Sequence, residues 1–299
     1  MNTHIAGAIP RSHRREDGWS ALAWLLAAGW LLALPACHPG EMKVLEPLHD
    51  ALARREIARG QRLMADQSFV AAAAAFENSL AHDPDSGVAH ASLGELCERR
   101  GDMDAAIAHY RAAVKAEPEA IRHALLLADA LRRSALTSMR RAEVLDCAVR
   151  AYCYALALDR DSYQALIGLG LCYRQAGEWN KALRVTLRAA QIEQDAAAPH
   201  AILATVHEAR GRLDLALAEY RQAIRLSPDD PALHNACADL NLVLAREGGP
   251  RKVLAAHRAM AHYRRSLELR PDQPAIRETL RQLDPMPNNA VTVIDEDLN

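Results

Sequence analysis

Apolar and polar residues are laid out along this chain in three ways. Residues 1–18 are polar and carry Arg11, Arg14 and Arg15, after which Trp19 to Leu34 runs sixteen residues without a charge. A run of that length suits the apolar core of an export signal and is short for a spanning helix, which needs about 20 residues. No helical period shows from His38 to Pro47, so residues 37–47 are expected to be a tether. From residue 48 to 273 one pattern keeps returning, an apolar segment closing on a turn. It appears as SLAHDPDS at Pro84, AVKAEPEA at Pro118, AIRLSPDD at Pro228 and SLELRPDQ at Pro271. The step from Pro84 to Pro118 is repeated from Arg160 to Gln194, in two degenerate copies, and again from Gln194 to Pro228. Self-similarity at a fixed period, here about 34 residues, marks a stacked repeat array. Two units exceed the period: the step from Pro118 to Arg160 is longer by eight and that from Pro228 to Pro271 by nine, with the excess around 132–141 and 247–250. Each excess is expected to be a longer helical hairpin or a surface loop. Residues 274–283 place Ile276, Leu280 and Leu283 on one helical face, which suits a cap over the last unit. Residues 284–299, rich in Pro and Asn and ending in acids, are expected to be a disordered tail.

Particular residue types also recur at fixed places inside each unit. The unit from Gly87 carries Leu93-Gly94, Gly101, Ala106, Tyr110, Ala113 and Pro118. The unit from Tyr163 has Leu169-Gly170, Tyr173, Gly177, Ala182 and Ala189, and that from Ala197 has Leu203-Ala204, Gly211, Ala216, Tyr220, Ala223 and Pro228. An earlier unit supplies Gly60, Ala72, Phe76 and Pro84. This arrangement resembles the tetratricopeptide repeat. The resemblance implies an all-α fold, a right-handed superhelical solenoid of about six helical hairpins closed by the C-terminal capping helix. In that register Gly94 and Gly170 would face Ala106 and Ala182 where the two helices approach. Tyr110 and Tyr220 would fill the wedge between one unit and the next. Gly101, Gly177 and Gly211 would end first helices in the left-handed conformation. The prolines stop the second helices, and Asp230 before Pro231 suits an N-cap.

Composition narrows the function. Alanine makes up roughly a fifth of the chain and aromatic residues 4%, which favours helix over a β-rich fold. A formal net charge of −2 argues against nucleic acid as a partner, since such binders carry a basic face. None of Cys97, Cys147, Cys153, Cys172 and Cys237 forms a CxxC pair, and all five are expected to be small buried apolar residues within helices. His90, His200 and His234 occupy one equivalent place in their units, where an aromatic would pack. One repeat apart, they are too distant to share a metal. His257 and His262, five residues apart, share no helical face. No nucleophile elbow, HExxH or phosphate loop is present. No catalytic residue, metal or cofactor is therefore expected.

Leu34-Pro35-Ala36-Cys37 closes the uncharged run and resembles the lipobox of bacterial lipoproteins. The resemblance implies removal of residues 1–36 and lipid attachment at Cys37. It places the chain on the periplasmic side of a bacterial envelope, with His38 favouring the outer membrane. The repeat resemblance implies a non-catalytic scaffold or assembly factor that binds other proteins or peptides along a concave wall of first helices, as in tetratricopeptide lipoproteins of envelope and pilus assembly. The alternative is an accessory subunit positioning an envelope enzyme or a polymer-export machine. Wall candidates in this register are Glu95, Glu98, Arg99, Asp129, Arg132, Leu171, Arg174, Thr205, Glu208, Asn235 and Asp239. Arg133, Arg140 and Arg141 join Arg132 in the third unit's excess as candidate contacts, where four arginines suit an acidic partner or phosphates as well as a solvated turn. No lysine stands on this wall, so the Lys/Asn clamp with which some members of the family hold a terminal carboxylate is not expected.

Overall fold

The computed structural model describes residues 39–247 and 252–283, and these residues form thirteen helices and no strand. Two compact units divide at Leu52, inside α1 (Pro39–Ala65). In the first unit the stretch expected to be a tether is helical from Pro39 onward. A proline suits the first turn, where its missing N–H has no helical partner anyway, and Glu41, Met42, Lys43 and Leu45 are good helix formers. The sequence of residues 38–47 shows no apolar period, so this part of the helix rests on local propensity.

The second unit begins at Ala53. The end of α1 pairs with α2 (Phe69–His82), and four hairpins follow in series. They are α3 (Gly87–Arg99) with α4 (Met103–Ala116), α5 (Ile121–Ser134) with α6 (Arg141–Leu158), α7 (Tyr163–Gln175) with α8 (Trp179–Ile192), and α9 (Ala197–Ala209) with α10 (Leu213–Leu226). The last hairpin is α11 (Pro231–Glu247) with α12 (Lys252–Leu269), and α13 (Pro274–Leu283) follows. Each second helix leans on the first helix of the next hairpin. First helices also touch one another across neighbouring hairpins (α3 with α5, α5 with α7, α7 with α9), whereas among the described residues no pair of second helices does so to that extent. First helices therefore form the tighter, inner side of the stack.

Local chemistry sets these boundaries. Ser86, Asp102 and Ser162 cap α3, α4 and α7 by accepting from the backbone N–H three residues on. Asp230 Oδ1 accepts from Ala232 N at 2.8 Å at the start of α11. Gly101, Gly177 and Gly211 turn the chain after first helices at φ of +81°, +74° and +69°, a region that costs a side-chain-bearing residue about 1–2 kcal/mol.

Alanines and one large residue per hairpin fill the core. Phe76, Tyr110, Tyr152, Tyr220 and Tyr263 are buried at the equivalent place of their second helices, and Thr186 takes that place in α8. Tyr110 and Tyr220 each join clusters that include the next hairpin, Ala124 and Ala128 for the first, Cys237 and Leu240 for the second. The expected facing of Gly94 with Ala106 is corrected. A Cβ on Gly94 would come within 2.5 Å of the Tyr110 ring, one turn further along α4, and one on Gly170 would meet Thr186 rather than Ala182. The glycine makes room for the large residue, not for the small one. Gly168, which carried no expectation, lies against the Tyr152 ring of the preceding hairpin.

The third unit's excess is shared between helix and turn. Its helices run 14 and 18 residues, with 135–140 between them. In the hairpin before it they run 13 and 14 residues, with 100–102 between. In the sixth unit residues 248–251 lie outside the described residues, as do Cys37 with the expected signal before it and the expected tail from 284. On α13, Ile276, Leu280 and Leu283 pack against Ala238, Ala259 and Tyr263 of the last hairpin.

Candidate functional site

The inner wall is built where charged side chains on the first helices meet tyrosine hydroxyls from the second helices. In its N-terminal half the charges neutralise one another across hairpins. Arg122 on α5 donates to Glu95 on α3 at 2.9 Å, and Arg133 donates to Glu98 at 2.5 Å. Glu98 is only 18% exposed on its side chain. Burial holds its pKa above the ordinary carboxylate value, an effect the Arg133 guanidinium offsets only in part. Arg99 is instead spent on an aromatic contact, 5.2 Å above the Phe69 ring.

Asp129 and Arg132 are joined through Tyr152. The tyrosine hydroxyl donates to Asp129 Oδ1 at 2.5 Å and accepts from Arg132 Nε at 3.3 Å. The four arginines of the third unit therefore divide. Arg132 and Arg133 are engaged on the wall, while Arg140 and Arg141 are exposed at the turn, Arg140 facing Glu143 at 3.8 Å.

In the C-terminal half the same ladder continues with different partners. Tyr263 donates to Asp239, and the Tyr220 hydroxyl supports Glu208. Glu208 is half-buried, and its pKa is raised by that burial and then by the like charge of Asp239. Arg174 is half-buried as well, its pKa lowered chiefly by desolvation. Leu171 packs with Ala182 and Ile202, Thr205 bonds back to Ile202 O at 2.8 Å, and Asn235 donates to Gln273 at 2.8 Å. These three serve the fold more than the surface.

The tyrosines were only half legible. Tyr110 and Tyr220 stand on the strict period, but Tyr152 and Tyr263 sit after the two excess stretches and are displaced from it by eight and nine residues. Aligning each unit backwards from its closing turn would have found both.

The histidines show a second recurring contact. His90 meets His109, and His234 meets His262, Nδ1 to Nδ1 at 3.2 Å in both cases, while His200 Nδ1 meets Glu219 at 2.7 Å. The far nitrogens of His90 and His234 lie 3.2 and 2.9 Å from the carbonyls of Pro84 and Pro228. A carbonyl only accepts, so each Nε2 carries the proton, and in the neutral ring Nδ1 is left bare. His109 and His262 then donate from Nδ1. His262 Nε2, bare in turn, lies 3.4 Å from Cys237 Sγ, whose thiol can donate to it. Burial holds the thiol near pKa 12 and the His262 ring near 4. This chain is a packed hydrogen-bond relay with an un-ionised thiol, which makes it a poor nucleophile. Packing histidines expected to be inert thus carry specific bonds.

The cysteine expectation holds for Cys172 and Cys237, which are buried, and is corrected for Cys153, which is exposed on α6, with Cys97 and Cys147 half-buried. His257 and His262, expected on different faces of α12, are both buried. Among the described residues no three His, Cys, Asp or Glu side chains are arranged to hold a metal. No described helix is long and apolar enough to cross a membrane.

Comparison with known proteins agrees with this architecture. The tetratricopeptide repeat family matches at residues 57–121 and 165–197, and the TPR repeat description at 206–242. No curated protein matches the chain in sequence. Among solved structures, a thermophilic TPR protein of Thermus thermophilus is 24% identical over 64% of this chain and 99% of its own, with a TM-score of 0.51. YrrB, described as a TPR protein with an unusual peptide-binding site, is 18% identical over 65% and 96%, with a TM-score of 0.53. PilF of Pseudomonas aeruginosa is 15% identical over 78% and 99%, with a TM-score of 0.60. These likenesses are likenesses of fold.

Proposed function

We propose that this chain of tetratricopeptide repeats is a non-catalytic scaffold that binds other proteins or peptides along its wall of first helices, and that a lipid on Cys37 holds it in a bacterial envelope. Proteins with these repeats serve as interaction scaffolds, and the peptide-binding site named for YrrB supports a protein or peptide as the ligand. The observation that carries the proposal is the wall itself. Charges of both signs are fixed in place by buried tyrosines and by ion pairs between hairpins, so a partner meets a preformed surface with little left to order. The Leu34–Cys37 lipobox behind an uncharged run supports the anchor.

Two experiments test this reading. Crosslinking and capture from membranes should recover partner proteins with the wild type and lose them when Glu95, Glu98 and Asp129 are reversed to Lys. Retention of every partner at wild-type level would move the binding surface elsewhere. Labelled palmitate should tag the wild type and not Cys37→Ala. A Cys37→Ala chain that stays in the membrane at full length would replace the lipid with an uncleaved anchor.

A further inference from the structure

The two halves of the wall differ in how their charges are balanced. Glu95, Glu98 and Asp129 each have an arginine of this chain within reach. Arg174 on α7 has none of the opposite sign among the described residues: the groups facing it are the Tyr220 hydroxyl and the like charge of Arg132. Glu208 on α9 faces Asp239 and, again, the Tyr220 hydroxyl, and no cation among the described residues pairs with it. Asp239 is exposed and, among the described residues, takes only the Tyr263 hydroxyl. A half-buried charge without a counter-charge is disfavoured, and here one of each sign stands on neighbouring first helices. Leu171 and Thr205, half-buried one turn back on the same helices, make the floor beside them less polar.

We propose that this half of the wall receives an extended peptide carrying one acidic and one basic residue, the carboxylate on Arg174 and the cation on Glu208, with the negative charge of Asp239 beyond it adding to the attraction. This rests on the reading of the wall as a protein-binding surface and adds the chemistry of the ligand. Neighbouring helices lie about 8–10 Å apart and an extended chain advances about 3.3–3.6 Å per residue, so the two charges belong about three residues apart. The Tyr220 hydroxyl, facing both Arg174 and Glu208, would hold the two protein charges at that spacing.

Fluorescence polarisation with labelled nine-residue Ala/Ser peptides tests the proposal. The panel is Asp-x-x-Arg, Arg-x-x-Asp, Asp-x-x-Asp, Arg-x-x-Arg and an uncharged control. One bipolar order should bind at least tenfold tighter than the control and the single-sign peptides, and the advantage should shrink as salt rises. Exchanging the charges in the double variant Arg174→Glu, Glu208→Arg should reverse the preferred order. If circular dichroism shows that double variant to be unfolded, Asp239→Asn, at an exposed site, should weaken the preferred peptide severalfold with the helices intact. Equal binding of bipolar and uncharged peptides, no binding of either bipolar order, or variants that keep wild-type order and affinity would overturn the inference. Capture of partners through Glu95, Glu98 and Asp129 with no bipolar preference would remove this inference alone, whereas loss of both results would remove the wall as a binding surface.

Discussion

The hairpins α3/α4 and α11/α12 carry the same two devices in different surroundings. Each pairs two histidines Nδ1 to Nδ1 at 3.2 Å and ties the first to a proline carbonyl. Each buries a tyrosine below the acids of the wall. In α3/α4 the histidines are half-buried, and the Tyr110 hydroxyl is buried with no hydrogen-bond partner. In α11/α12 His234 is 3% and His262 8% exposed, Cys237 closes the far side of the ring, and Tyr263 donates to Asp239. The motif is shared and its consequences are not, because burial decides what a proton costs and partners decide what a hydroxyl contributes.

The largest expected difference is in acid. His262 titrates near 4 in the fold, held down by burial and by His234, Arg221 and Arg258, against 6.5 ordinarily. The folded state thus binds this proton less readily than the unfolded one. The contribution of His262 is complete above the ordinary value and is lost as pH falls from about 6.5 towards 4, by roughly 3 kcal/mol at 1.36 kcal/mol per pKa unit. His109 is shifted the same way by burial and by His90, with a smaller loss expected because it is more exposed. Thermal melts from pH 7.5 to 4.5 should show acid sensitivity that His262→Gln largely removes and His109→Gln removes less. Equal effects from the two changes would mean that burial does not separate the pairs.

Overpacking comes next. Gly94→Leu should destabilise by roughly 1–3 kcal/mol, since its first carbon already collides with the Tyr110 ring. On α11 Ala238 takes the corresponding place, so Ala238→Gly should instead lose packing and helix propensity of about 1 kcal/mol. Denaturant titration distinguishes these outcomes by size, and a neutral Gly94→Leu would show that the helices are paired in another register.

The tyrosine hydroxyls sharpen the contrast further. Tyr263→Phe removes a bond to a carboxylate and should cost about 1.5 kcal/mol or more, whereas Tyr110→Phe removes an unsatisfied buried hydroxyl and should be neutral or stabilising. Chemical melts of both single variants check this, and equal losses would place a partner on Tyr110. Smallest of all is Arg140→Ala. Its pair with Glu143 is 79% and 73% exposed, so a change within about 0.5 kcal/mol is expected. Glu98, which by register alone looks like an exposed control, does not serve as one because its carboxylate is enclosed and paired with Arg133.

These hairpins also mark how far the chain could be read before it was seen folded. The repeat was legible because its determinants are local and spaced by backbone geometry: a small residue at a fixed place in the first helix, a left-handed glycine after it, a proline closing the second. Gly101, Gly177 and Gly211 are such cases, and so is Asp230 at the head of α11. What the small residue faces was not legible, since Gly94 meets Tyr110 and not Ala106. The helix at Pro39–Ala65 was obscured at its start, because the sequence of residues 38–47 shows no apolar period.

The wall was legible only as a set of positions. By itself the sequence determined an all-α stack of hairpins and where first helices end, since these follow from propensity, periodicity and turn chemistry within a single repeat. Tertiary structure alone decided that Arg122 reaches Glu95, that Arg133 reaches Glu98, and that Arg174 and Glu208 are left without counter-charges among the described residues. It likewise decided that one histidine pair is wet and the other dry. The physical reason is distance in space: the arginines and their acids are 27 and 35 residues apart in the chain. They meet only through the offset between stacked hairpins, and that offset depends on the whole core.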